Sequence, residues 1–227
     1  MVIIHCAKMD KFQKAVVKLC LRSRLEITLL AIGCDLLLPD HDADAYRNKA
    51  ILANYDTNST HLSLVDRSIS TFTSPFIKWD AQYFLAIAEH NSYPEESMLA
   101  FFPLYPLIIR NVALFLQTLL NLFTLDINFI SSLALSAYLV NLVSFVLAGL
   151  LLFNLSTFMF NSVKVSFEIV NFFAYNPASI FFTAFYTESL FSCLTFFALW
   201  CLYRFKSPFY ASILFGLSTT LRSNGKH

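Results

Sequence analysis

Long apolar segments separated by short polar ones run through most of the chain. The clearest is Phe129–Phe153, whose 25 residues carry no charge; about 20 apolar residues are enough for a helix to cross a bilayer. The other apolar segments, some holding an isolated charge, are Leu25–Leu38, Leu99–Phe123, Ile169–Thr187, Ser189–Tyr203 and Phe209–Leu221. This pattern predicts an all-α polytopic membrane protein with about five transmembrane helices and further interfacial helices.

Composition supports the same class. Hydrophobic residues make up 57% of the 227 and charged residues only 14%, against about 25% charged in typical soluble domains. So much apolar surface does not fit into one soluble core, and it also excludes a disordered chain. The apolar composition makes membrane lipid the expected surroundings. The net charge of +1 gives no reason to expect a nucleic-acid partner.

The distribution of charge predicts the topology. Residues 1–24 carry a net charge of +5, and residues 39–98 carry −5. Since positive charge stays on the cytosolic side, we expect a cytosolic N-terminus over 1–24, a first span over 25–38, a lumenal loop over 39–98 and further spans over 126–227. A cleaved signal peptide is the alternative for the first span, but Leu38-Pro39-Asp40 stands where small residues are expected.

The segment 99–125 is either an interfacial helix or a full crossing. A crossing would place the basic residues near 164 and 204–206 on the lumenal side, against the positive-inside rule. Pro103 and Pro106 lack backbone N–H donors, and the aromatic residues Phe101, Phe102 and Tyr105 suit the headgroup region. These features favour the interfacial helix.

No metal site is expected. The five cysteines are odd in number and form no C-x-x-C pair, which argues against a zinc site and against a disulfide scaffold. The acidic stretch Pro39–Tyr46 could hold a cation, but it lacks the spacing and the turn glycine of a calcium loop, and a polar cap is the simpler interpretation. Asn58-Ser59-Thr60 is a glycosylation sequon that suits a lumenal position.

Two acids are candidates for chemistry. Asp80 opens an apolar helical pattern, so we expect it to be the N-cap, with Trp79 and Phe84 forming a hydrophobic staple. The compatible functional interpretation makes Asp80 a base at the membrane edge. Glu188 follows the Asn176-Pro177 break, and an acid among apolar segments is a functional candidate, although a helix N-terminus also favours one.

Several motifs in order along the chain resemble the GPI mannosyltransferase 2 family, which adds the second mannose in GPI-anchor assembly. They are Pro39-Asp40-His41, Trp79–His90, Ala100–Pro106, Asn176–Phe181, Tyr186–Phe191 and Leu221–Gly225. The resemblance runs from about residue 20 to residue 225. It implies a GT-C-like fold in the endoplasmic-reticulum membrane, with several spans and a cytosolic N-terminus.

The resemblance also implies the reaction. Mannose would pass from dolichyl-phosphate-mannose to the mannosyl-glucosaminyl-phosphatidylinositol intermediate, in an α-1,6 linkage formed with inversion, and without a cofactor. Asp80 would be the catalytic base, because a phosphate leaving group needs no general acid. Trp79, His90, Glu188 and Arg222 would bind substrate; Arg222 suits a phosphate, although it could also simply snorkel. An accessory membrane subunit is possible.

Alternatives remain open at this point. Family members continue with further spans beyond the Leu221–Gly225 motif, so we expect a C-terminally truncated chain. An inactive isoform or a regulatory fragment of the enzyme is therefore one alternative. A transporter-like protein is a weaker one, because Arg110, Glu188 and the break at Pro177 could line a pathway, although we find no internal repeat.

Overall fold

The computed structural model describes residues 2–38, 55, 62–123 and 127–222, and within these it contains helices and connecting turns but no strand. The α-helices are α1 Val2–Leu37, α2 Leu64–Thr73, α3 Asp80–His90, α4 Leu104–Leu122, α5 Phe129–Phe160, α6 Val163–Ala174, α7 Glu188–Tyr203 and α8 Pro208–Thr219. Short 3₁₀ turns occur at Ser74–Phe76, Glu96–Ala100 and Ser179–Phe182. The prediction of an all-α fold is confirmed.

Helix α5 is the one helix in the described part of the chain that is long and apolar enough to cross a membrane. Its 32 residues extend about 48 Å at 1.5 Å per residue, which exceeds the roughly 30 Å of a hydrocarbon core. Helices α4 and α7 are apolar but shorter. The count of about five transmembrane helices therefore stays a prediction.

Both ends of α5 are fixed by asparagines. The Asn128 side chain accepts a hydrogen bond from the Ser131 amide at 2.7 Å, which is the usual N-cap bond. At the other end Asn161 takes the left-handed conformation, with φ 49°, that commonly ends helices. These caps explain why the helix begins with the apolar segment at Phe129 and ends seven residues beyond it, at Phe160.

Small residues let the other helices approach α5 closely. Its buried positions include Ser132, Ala134, Ser136, Ala137, Ser144, Ala148 and Gly149. Small side chains at an interface allow helix backbones to pack against each other in membrane proteins. Helices α1, α4, α6 and α7 all contact α5, so α5 is the central element of the fold.

Two hydrophobic clusters lie along α5. The first brings α3 and α4 against its N-terminal half through Phe84, Tyr105 and Leu133. The second brings α1 and α6 against its C-terminal half, around Phe145 and Val170. The first cluster includes Ala81, which follows Asp80, the first residue of α3.

The structure corrects two local expectations. Tyr105 is fully buried, with its ring 5.3 Å from that of Phe84, so it does not belong to a headgroup belt. Helix α1 runs without interruption through the expected boundary between residues 24 and 25, and Arg24, counted with the basic N-terminus, is buried. Local sequence could not indicate either, because both burials depend on contacts with distant helices.

Some predictions fall outside the described residues. These are the glycosylation site at Asn58, the acidic stretch Pro39–Tyr46 and the end of the last motif from Ser223 to Gly225.

Candidate active site

A cavity of about 890 Å³ opens where four parts of the chain meet. The start of α3, the turn before α4, the segment before α7 and the segment after α8 each contribute to its wall. The lining residues are Trp79, Asp80, Phe84, Ala100, Phe101, Phe102, Phe181, Tyr186, Thr187, Glu188, Leu221 and Arg222. Four of the five residues predicted to act on substrate, namely Trp79, Asp80, Glu188 and Arg222, thus lie in one cavity.

Asp80 is the first residue of α3 and not its N-cap. The N-cap position belongs to Trp79, whose side chain makes no capping hydrogen bond and is 59% exposed. The predicted cap and staple are therefore wrong by one residue, because the backbone turns sharply at Trp79, with φ 57° and ψ −126°. Positive φ is costly for a residue with a Cβ. The turn instead leaves the Asp80 carboxylate free at the positive end of the α3 dipole.

The turn at Trp79 is held from across the cavity. The Phe185 amide donates to the Phe76 carbonyl at 3.1 Å, and the Tyr186 hydroxyl donates to the Lys78 carbonyl at 3.1 Å. The segment before α7 thus fixes the chain on the N-terminal side of Asp80. These two hydrogen bonds hold the residues just before Trp79 and so keep its backbone in the unfavourable conformation.

Charge in the cavity comes from two acids and one base. The Arg222 Nη1 atom lies 2.5 Å from Glu188 Oε1. The other carboxylate oxygen, Oε2, is buried and has no hydrogen-bond partner among the described residues. Partial burial raises the pKa of Asp80 above its usual value, and the nearby Arg222 guanidinium opposes that rise. The cavity therefore contains a carboxylate suited to accept a proton beside a cation suited to bind an anion.

Tyr186 is a site residue that sequence reasoning missed. Its ring stacks on that of Phe181 with centroids 5.6 Å apart and an interplanar angle of 21°. The sequence did offer one indication of its role. Tyr186 stands two residues before the predicted site residue Glu188, and residues that close along the chain share the same turn.

His90 lies elsewhere. It ends α3, so ten residues of helix, about 15 Å, separate it from Asp80. Its Nδ1 atom is 3.0 Å from the Ala86 carbonyl oxygen, and it is not among the residues that line the cavity. The structure therefore does not bring His90 together with the other predicted substrate-binding residues.

Arg110 also lies outside the cavity. Its Nη1 atom donates to the carbonyl oxygens of Ala88 and Glu89 at 2.6 and 2.8 Å. It therefore secures the end of α3 to α4 and does not share a pathway with Glu188. The transporter-like alternative gains no support from this arrangement.

No group of three or more His, Cys, Asp or Glu side chains in the described ranges could hold a metal ion. Within the cavity wall the ionisable acids are Asp80 and Glu188, and Glu188 is already paired with Arg222. The chemistry available there is proton transfer and anion binding between aromatic walls.

The described residues form helices, one of them long enough to cross a membrane, and enclose an aromatic cavity that holds a carboxylate. These are features of a membrane glycosyltransferase. The family model described as "Mannosyltransferase (PIG-V)" matches residues 13–226. The chain belongs to this mannosyltransferase family.

Curated relatives agree with this assignment. The chain is 35% identical over 178 residues to GPI mannosyltransferase 2 of Drosophila melanogaster, covering 78% of this chain and 37% of the relative. It is 32% identical over 217 residues to GPI alpha-1,6-mannosyltransferase 2 of Cricetulus griseus, covering 96% and 41%. The corresponding human protein is 31% identical over 216 residues, covering 95% and 41%.

The chain spans about two fifths of the length of the curated relatives it matches. No solved structure gives a significant match.

Proposed function

We propose that this chain transfers the second mannose, in an α-1,6 linkage, from dolichyl-phosphate-mannose to the mannosyl-glucosaminyl-phosphatidylinositol intermediate of GPI-anchor assembly. Family membership and the names of the relatives support this class of reaction. The observation that carries the proposal is the cavity in which the partly buried Asp80 stands beside the Arg222–Glu188 pair, between aromatic walls.

The proposal includes the setting of the reaction. The chain acts in the endoplasmic-reticulum membrane with several spans beside α5, its N-terminus faces the cytosol, and residues 39–98 lie in the lumen. Segment 99–125, which contains α4, is placed at the lumenal interface. The reaction needs no cofactor or metal, and an accessory membrane subunit can take part.

Asp80 acts as the general base. Its carboxylate accepts the proton of the acceptor hydroxyl while the hydroxyl oxygen forms a bond to C1 of the donor mannose. The bond from C1 to the phosphate oxygen breaks on the opposite face, so the configuration inverts. The lipid phosphate leaves as an anion and needs no proton, so one carboxylate is enough. The raised pKa of Asp80 makes it a better base near neutral pH.

The other cavity residues bind and orient the substrates. Arg222 stabilises the phosphate of the donor, since a guanidinium pairs with phosphate oxygens in a bidentate way. Glu188 holds Arg222 in place through Oε1. The rings of Trp79 and Tyr186 cover the apolar faces of the sugars.

Complementation tests this proposal. Cells that lack the second GPI mannosyltransferase would express wild-type protein, Asp80→Asn or the control Glu96→Gln, and surface GPI-anchored protein would be measured. Asp80 is not the N-cap of α3, and burial raises its pKa, so its ionised form costs folding free energy above the usual aspartate pKa. Asp80→Asn should therefore accumulate as well as wild type.

We expect rescue by wild type and by Glu96→Gln, which makes the same chemical change at an exposed residue outside the cavity wall. Rescue by Asp80→Asn would remove Asp80 from the role of base. Failure of wild-type protein that is expressed and inserted would contradict the claim that this chain alone performs the transfer.

A further inference from the structure

Arg24 of α1 is a buried arginine that the mechanism above does not use. Its side chain is 1% exposed and is among the largest fully buried side chains of the described residues. Burying a charge is costly unless every donor finds an acceptor. A cation buried in this way must therefore make strong contacts with the structure around it.

The hydrogen bonds that Arg24 makes within the described residues all end on carbonyl or hydroxyl oxygens. Nη1 donates to the Ser179 carbonyl at 2.7 Å and to Thr183 Oγ1 at 3.0 Å. Nη2 donates to the Ala174 carbonyl at 2.9 Å and to Ser179 Oγ. The guanidinium also lies over the Phe145 ring, 3.9 Å from its centroid, an arrangement favourable for a cation.

One of these acceptors is a carbonyl at the end of a helix. Helix α6 ends at Ala174, and Pro177 has no N–H to continue it. The Ala174 carbonyl is among the last four of the helix, which have no helical N–H partner, and it accepts from Arg24 Nη2 and from the Ser179 hydroxyl. Carbonyls at a helix C-terminus also carry partial negative charge, which favours a cation. Arg24 thus satisfies the polar groups that the Asn-Pro break releases.

The segment held by Arg24 continues directly into the cavity. We call residues 174–187 the bridge segment; it starts at the Arg24 contacts and ends at the N-terminus of α7. Its far end donates to Phe76 and Lys78 on the N-terminal side of Asp80 through the Phe185 amide and the Tyr186 hydroxyl. A continuous set of contacts therefore joins Arg24 to the turn that positions the proposed base.

We propose that Arg24 is a positioning residue: by holding the bridge segment, it places Tyr186 and Glu188 against Asp80. This inference rests on the proposed function for its effect on catalysis, but not for its effect on structure. Arginine is required because its planar fork of donors reaches several oxygens at once, whereas a lysine ammonium keeps the charge but not that geometry.

Hydrogen–deuterium exchange on the whole chain in detergent tests the structural part. Arg24→Lys should speed exchange in the bridge segment and also in residues 76–82, which Arg24 does not touch, while α8 exchanges as in wild type. Arg204→Lys is the matched control, because it makes the same chemical change at an exposed residue at the end of α7 that lies farthest from the bridge segment. It should change neither region.

A second variant keeps the test valid if Arg24→Lys fails to accumulate. Thr183→Val removes one acceptor of Arg24 at nearly constant volume and should give a smaller increase in the same two regions. Faster exchange throughout the chain, α8 included, would mean that Arg24 only stabilises the fold. Unchanged exchange in residues 76–82 of folded variants would also overturn the inference.

Mannosyl transfer by the same proteins separates this inference from the proposed function. We expect Arg24→Lys to lower kcat about 100-fold, because small misplacements of reacting groups have effects of that order, with a smaller change in KM. If exchange changes as described but wild type transfers no mannose, the proposed function fails and the positioning role stands. If wild type is active and Arg24→Lys keeps its kcat, the positioning role fails.

Discussion

Asp80 combines two influences that oppose each other. Its partial burial raises the pKa of the carboxyl group, and the positive charge of Arg222 pulls that pKa down again. The side chain also stands at the positive end of α3, where Trp79 and not Asp80 occupies the N-cap position. A carboxylate that is not used to hold its own helix is available to accept a proton.

The pH dependence of kcat should report these influences. A base must be ionised, so kcat should fall as the pH falls through the raised pKa of Asp80, at a higher pH than an ordinary aspartate would give. Arg222→Gln removes the charge that lowers the pKa and should move this acid limb to higher pH; Arg222→Lys should leave it near its wild-type position. An acid limb that stays in place or moves to lower pH in Arg222→Gln would contradict the assignment.

The backbone of Trp79 makes a second prediction at the residue scale. A positive φ favours glycine over any residue with a Cβ, so Trp79→Gly should be about 1 kcal/mol more stable than Trp79→Ala. Thermal unfolding in detergent measures the difference. Tyr83, inside α3, is the control position: there Ala should be more stable than Gly by about 1 kcal/mol. Equal stability of the two Trp79 variants would mean that the turn is not strained.

At the scale of elements, the site depends on how α1 and α6 pack on α5. Gly149 of α5 lies so close to α1 that a Cβ there would come within 2.5 Å of the Cys20 sulfur. A residue larger than glycine therefore fits at position 149 only if the Cys20 side chain moves. The same packing brings Arg24, one helical turn after Cys20, to the end of α6.

Gly149→Ala should therefore destabilise the protein by about 2 kcal/mol through overpacking. Adding Cys20→Ala should recover part of this loss, because it removes the atom that clashes. Gly216→Ala in α8 is the matched control, since nothing lies within 4 Å of a Cβ at that position. Thermal unfolding of the four proteins checks both effects; a Gly149→Ala protein as stable as Gly216→Ala would contradict the close approach of α1 and α5.

At the scale of the whole molecule, periodic and compositional features were predictable from the sequence. Apolar segments predicted the all-α class, and the segment around Phe129–Phe153 predicted α5, which is long and apolar enough to cross a membrane. Trp79, Asp80, Glu188 and Arg222 were predicted from motifs far apart along the chain, and they line one cavity. The order of the motifs was informative because several separate segments of the chain resembled the same family.

The missed features depend on contacts between distant segments. Arg24 was counted as a cytosolic charge, because no local pattern shows that its partners lie about 150 residues away in the bridge segment. The turn at Trp79 was missed because its conformation is held by Phe185 and Tyr186. Local propensity favoured Asp80 as the cap, and long-range packing overrode it.

The central claim is that Asp80 is the base of a mannosyl transfer in this cavity. Its most direct test is transfer of radiolabelled mannose from dolichyl-phosphate-mannose to the mannosyl-glucosaminyl-phosphatidylinositol acceptor, in membranes from cells that lack the endogenous enzyme. We expect product from the wild-type chain and from Glu96→Gln, and none from Asp80→Asn at equal protein level. Equal transfer by Asp80→Asn would contradict the account.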